Sequence, residues 1–133
     1  MSLLDKLPNF VRNHKFMLVI GELLGSDDGD FEDVVQEQVL VRVHEDDLDK
    51  AQLITSENVY GLHRPLIDID FGAELIPSST PGHYHLYLEK DMIWEQYEKL
   101  LIVLEEVGII GKGVLTAAQY RKFTSLRLPW VKK

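Results

Sequence analysis

Leu66-Ile67-Asp68-Ile69-Asp70-Phe71 and Ser78-Ser79-Thr80-Pro81-Gly82-His83-Tyr84-His85-Leu86-Tyr87-Leu88 are the stretches on which the reading of this fold turns. In the first, Ile67, Ile69 and Phe71 alternate with Asp68 and Asp70, the period-two pattern of a strand with one buried face. Pro65 favours extended backbone just before it. The second runs from a Ser/Pro/Gly turn into a strand from His83 to Leu88. There Tyr84, Leu86 and Leu88 form one face, and His83, His85 and Tyr87 the other. Pairing of the two strands would set Asp68, Asp70 and His85 on the open side of one sheet.

Working outward, Val39 to His44 is β-branched and predicts an earlier strand. The acids Glu45, Asp46 and Asp47 then open a short helix through Ala51 and Leu53. After the histidine strand, Asp91 is placed to cap a helix carrying Trp94, Tyr97, Leu100, Leu101, Leu104 and Val107 on one face, ending at Gly108. Phe123 to Leu128 predicts a last strand before Pro129, with Ser125 and Arg127 on one face, a pair suited to holding phosphate. The order is β-α-β-β-α-β, a ferredoxin-like, RNA-recognition-like antiparallel sheet with both helices on one face. The expected class is therefore α+β. A single domain of 1–133 is expected, with 1–38 as an N-terminal extension packed on a 39–129 core. Leu3 to Leu24 reads as a helix followed by an extended segment. Trp94 and Trp130 read as packing residues, and Gly108, Gly111 and Gly113 as a helix end and turn.

The 133 residues hold no cysteine, which excludes disulfides and thiolate metal sites. No apolar run approaches membrane-spanning length, and the N-terminus lacks the basic-then-apolar build of a signal peptide, so no membrane and a cytoplasmic location are expected. The net charge of −8 hides an asymmetry. Residues 1–111 carry 8 basic and all 22 acidic side chains, a net of −14, whereas 112–133 carry Lys112, Arg121, Lys122, Arg127, Lys132 and Lys133 and no acid. The body should repel polyanions and the C-terminal segment attract them, unless that segment pairs with the acidic body. Residues 25–30, Gly-Ser-Asp-Asp-Gly-Asp, lack the ligand spacing of a calcium loop and read as a solvated turn. His83-x-His85-x-x-x-Glu89 has the spacing of cupin ligands, but the chain turns there into a helix instead of further strands.

The Asp-x-Asp strand, followed by a Ser/Thr-Pro-Gly turn into a strand with His, resembles the first two motifs of the archaeo-eukaryotic primase superfamily. That superfamily includes the primase-polymerases of phages and plasmids. Its second motif often reads Thr-Pro-Ser-Gly-Gly-x-His-Leu-Tyr, to which Ser79 through Tyr87 is similar. The resemblance covers residues 64–88 and, loosely, 39–129. It implies a metal site at Asp68 and Asp70 holding Mg²⁺ or Mn²⁺. It also implies phosphate contacts from His85 and the Ser79–Thr80 turn, with Asp68, Asp70 and His85 as catalytic residues in an active member. Two carboxylates at i and i+2 suit such a cation, which neutralises phosphate oxygens in an in-line displacement. Active members carry a third acid on a later strand, but no acid follows Glu106 here. The expected function is nucleotide or nucleic-acid phosphate binding by a minimal primase-like core of DNA replication, with nucleotidyl transfer a further step. The alternative is a non-enzymatic, acidic phage-type protein that binds a host or self protein partner, its acids serving as a field.

Overall fold

The computed structural model describes residues 2–25 and 35–131, and its contacts divide the chain into two compact units, Met1–Asp68 and Ile69–Lys133. The protein is α+β with antiparallel sheets. No helix among the described residues is long and apolar enough to cross a membrane. The acidic turn expected at 25–30 lies, from residue 26 on, outside the described residues, as do Lys132 and Lys133.

The first unit is a three-stranded sheet in the order β2-β1-β3, with β1 at His14–Gly25, β2 at Val35–Arg42 and β3 at Leu53–Asn58. The N-terminal segment therefore supplies the central strand. The helix expected from Leu3 is reduced to two 3-10 turns, Leu3–Lys6 and Asn9–Val11. Ser2 caps the first, its hydroxyl accepting from the Leu4 N–H at 3.3 Å. Pro8, with no N–H to donate, separates the two. The apolar run Lys15 to Ile20 resolves as strand, because it pairs on both sides: Met17 stands opposite Arg42 and Leu53. The register to β2 shifts between Val19 and Gly21, a one-residue bulge at Ile20.

Glu45–Lys50 is a 3-10 turn capped by His44, shorter than the helix expected through Leu53. It stops because Gln52 is drawn into the sheet: its N–H donates to the Met17 carbonyl at 2.9 Å, and its side-chain oxygen accepts from Val19 at 2.9 Å. The buried groups of this unit include two polar ones, His14 and Asn58, beside Val11. Asn58 is satisfied locally, its side-chain oxygen accepting from the Tyr60 and Leu62 N–H groups at 2.9 and 3.1 Å.

The second unit begins with a hairpin of β4 (Ala73–Pro77) and β5 (Tyr84–Leu88), followed by α1 (Trp94–Glu106) and α2 (Lys112–Arg121). Here the structure departs from the expected single β-α-β-β-α-β sheet. Leu66 to Phe71 forms no ladder and is exposed throughout. The partner of β5 is β4, in a register from Ala73↔Leu88 to Pro77↔Tyr84. Pairing with Ala73–Pro77 closes a six-residue loop, whereas pairing with Leu66–Phe71 would close twelve, a larger entropic cost with no better apolar match. Gly82 makes the short loop possible, adopting φ +80° where an L side chain is strained.

Phe123 to Leu128 is likewise irregular rather than a strand. Its Thr124 hydroxyl instead holds the Tyr97 hydroxyl of α1 at 2.8 Å. α1 ends as expected at Gly108, φ +80°, with the Ile109 N–H closing on the Leu104 carbonyl at 2.8 Å. α2, whose Gly113 the sequence reads as part of a turn, packs on α1, and the buried residues of this unit are Leu101 and Ala118. Trp94 meets Tyr97 edge to face at 6.0 Å, as a packing residue should. Trp130 does not pack: it is 74% exposed.

Candidate phosphate and metal site

Asp68 and Asp70 stand two residues apart on the exposed, ladder-free run before β4. The division between the units falls directly after Asp68, so Asp68 belongs to the first unit and Asp70 and His85 to the second. Both aspartates are exposed, and neither accepts a hydrogen bond or ion pair from the described residues. No cluster of three or more His, Asp or Glu side chains suited to a metal is formed among the described residues. Carboxylates are hard-oxygen donors of the kind that Mg²⁺ and Mn²⁺ take.

The hairpin positions the other expected phosphate ligands. Residues directly opposite across an antiparallel pair share a face, so Ile76↔His85 and Glu74↔Tyr87 lie on one face with Ser78 and His83. The grouping of His83, His85 and Tyr87 expected from the sequence holds. What differs is burial. His85 is half-buried, whereas the apolar set Tyr84, Leu86 and Leu88, expected beneath the helices, is exposed.

At the loop, Ser78 Oγ accepts from the Thr80 N–H at 3.1 Å, and the His83 N–H donates to the Thr80 carbonyl at 3.1 Å. Thr80 is therefore built into the turn, and Ser79 is the exposed hydroxyl at its edge. Arg127 is exposed on the irregular segment after α2. The ion pairs of the described residues all lie within residues 5–57, so none involves Lys112, Arg121, Lys122 or Arg127.

Two features were missed. Tyr120 is 89% exposed and, with Trp130, stands among these cations. Lys112, Thr116 and Tyr120, four residues apart, make one row of α2 on the side away from buried Ala118. Only a recognised helix could have shown that row. Lys122, just after the helix, has φ 67°, the left-handed conformation that glycine usually supplies.

The second feature is a cleft of about 990 Å³ wholly within the first unit, lined among others by Arg12, His14, Phe16, Arg42, His44 and Asp46. None of its lining residues was among the candidate site residues read from the sequence. His14 is 3% exposed, and its Nδ1 lies 2.8 Å from the Thr55 carbonyl. A carbonyl only accepts, so Nδ1 carries a proton, while Nε2 is buried with no hydrogen-bond partner among the described residues. In the same unit, Lys15 pairs with Glu57 and holds its carboxyl below the usual range, by hydrogen bond first and charge second. The chain matches no protein-family model, no curated protein and no solved structure.

Proposed function

We propose that this chain binds the phosphates of a nucleotide or nucleic acid, as a reduced relative of the primase-polymerase superfamily. The observation that carries the reading is the basic segment after Gly111. Its four described cations form no ion pair with the described residues, no acid lies among them in the sequence, and the exposed aromatics Tyr120 and Trp130 stand beside them. Unpaired cations bind a polyanion by releasing its condensed counterions, so they need no preformed pocket. In the same reading Asp68 and Asp70 add a divalent cation that bridges to phosphate oxygen, with His85, Ser79 and Arg127 as further phosphate contacts. The run of hairpin and then α1 is a β-β-α order, and the likeness to the superfamily is proposed for that run alone. The proposal is for binding, since the third carboxylate of active relatives has no counterpart after Glu106.

Fluorescence anisotropy of a labelled oligonucleotide, titrated with the chain over a range of salt with and without Mn²⁺, tests both parts. Binding should weaken steeply with salt, and neutralising Lys122 and Arg127 together should lower the log–log slope by about 1.5. Mn²⁺ should strengthen binding by the wild type and not by Asp68→Ala/Asp70→Ala. Absence of binding at low salt refutes the reading. Equal Mn²⁺ enhancement in the aspartate variant removes the metal site and leaves the basic segment.

A further inference from the structure

We propose that two copies of this chain pair edge to edge through β5, antiparallel, about a two-fold axis at Leu86. This goes beyond phosphate binding and stands independently of it.

The hairpin is a two-stranded sheet among the described residues, so each strand has one open edge. Which groups face outward follows from the hydrogen bonds at its two ends. The Glu89 N–H donates to the Gly72 carbonyl at 2.7 Å, and the Ser78 N–H to the His83 carbonyl at 2.9 Å. Residues 83, 85, 87 and 89 thus turn their backbone groups toward β4. By alternation, the N–H and C=O groups of Tyr84, Leu86 and Leu88 point away from it. The same three residues place their side chains on the apolar face, with Ala73, Leu75 and Pro77 opposite. That face is open to solvent: Leu75, Tyr84 and Leu86 are 61%, 59% and 55% exposed. Unpaired ladder groups therefore coincide with uncovered apolar surface, and a lone two-stranded hairpin is marginal in water.

The two edges are not equivalent. β4 carries the charge of Glu74 and ends in Pro77, which has no N–H, two common devices against edge pairing. β5, Tyr-His-Leu-Tyr-Leu, has no charge, proline or glycine. Its sequence also fits itself. In an antiparallel pair centred on Leu86, Leu86 meets Leu86 of the second copy, and Tyr84 meets Leu88 of the second copy. His85 meets Tyr87 of the second copy on the other face. Apolar meets apolar, the imidazole meets a phenol, and no two formal charges oppose. The outward groups are in phase with this register, so the pairs at 84, 86 and 88 each exchange two hydrogen bonds, about six in all. A slip of one residue would set His85 against Leu86 and mix the faces. The result is a four-stranded sheet whose apolar face is continuous across the axis.

Sedimentation of the full chain from micromolar to millimolar concentration tests the pairing, with Leu86→Lys as the main variant. At the axis, each copy's new lysine faces the other's, so the dimer dissociation constant should rise at least tenfold. Mixing Leu86→Lys with Leu86→Glu should restore association, a result that a merely misfolded variant cannot give. Glu74→Lys, on the β4 edge, should leave the dimer unchanged. A wild type that stays monomeric across the range overturns the proposal. So does a dimer that tolerates Leu86→Lys, or one that Glu74→Lys disrupts.

Discussion

Replacing Lys122 by glycine should stabilise this protein, although it removes a surface charge and touches no core. Lys122 follows the last residue of α2 with φ 67° and ψ 27°, and its N–H closes on the Ala118 carbonyl at 2.7 Å. That bond is the single link of a left-handed helix stop, a position where glycine carries no penalty. An L side chain there costs about 1–2 kcal/mol through the clash of Cβ with the carbonyl. Glycine recovers that strain and returns about 0.5–1 kcal/mol of it as greater freedom of the unfolded chain. The expected net is stabilisation by about 0.5–1 kcal/mol, or a rise in Tm of about 2–6 °C for a cooperative unit of this size. Lys122→Ala is the control, because it loses the same charge and keeps the same strain. Urea titrations followed by circular dichroism should place Lys122→Gly above Lys122→Ala in midpoint, with equal slopes. The reasoning fails if the two variants are equally stable. Both should lower the salt slope of oligonucleotide binding by about 0.7–0.9, one phosphate contact each. Stability and binding then move in opposite directions in the glycine variant, as expected where a strained backbone is retained for the sake of a charge.

Two further predictions follow from the packing and the ion pair. Leu101, 4% exposed on α1, should cost about 2–4 kcal/mol when truncated to alanine, read from the urea midpoint. Because the unit buries so few side chains, little else is available to fill the cavity. Glu57 titrates below its ordinary value beside Lys15, so its folded-state pKa is depressed and its unfolded value is not. Its contribution is therefore present above the unfolded pKa and lost as pH falls through the folded one. Glu57→Gln should flatten the acid limb of stability against pH below the usual glutamate range and leave the limb above neutrality unchanged.

The parts of the fold that were legible in the sequence are those in which one element carries its own signal. α1 is read from Trp94, Tyr97, Leu101 and Leu104 at helical spacing and from Gly108 at its end, and it forms, beginning at Trp94 rather than Asp91. The strands at 39–44 and 83–88 are found within a few residues as β2 and β5. Pairing is a property of two segments, and there the reading fails. Ile67, Ile69 and Phe71 alternate well, yet Ala73–Pro77 wins β5 because it is nearer in the chain. That strand gave little warning, being five residues long with a glutamate and a proline. α2 was hidden by Gly113 in its first turn and by the small residues Thr116, Ala117 and Ala118, which give a weak apolar stripe. At the candidate site, the common face of His83, His85 and Tyr87 was legible from period two alone. The exposure of Tyr120 and Trp130 depends on packing that no local pattern encodes.

The two proposals make opposite demands on salt, and the reason lies in how charge is distributed along the chain. Each copy carries −8, so two copies repel at long range wherever they meet. Every other strand contributes at least one formal charge: Lys15 and Glu22 in β1, Glu37 and Arg42 in β2, Glu57 in β3 and Glu74 in β4. β5 has none, and is therefore the strand along which two acidic chains approach without setting charge against charge at the contact. What remains is the long-range repulsion, which salt screens over about 10 Å at 0.1 M. Added salt should thus tighten pairing through β5. The basic segment works the other way, since its grip on a polyanion rests on counterion release and weakens with each increment of salt. Sedimentation and anisotropy on one salt series should therefore diverge, association rising while oligonucleotide binding falls. Were both to fall together, the copies would be held by charge rather than by the apolar edge, and the contact would have to be sought between the acidic body of one and the basic segment of the other.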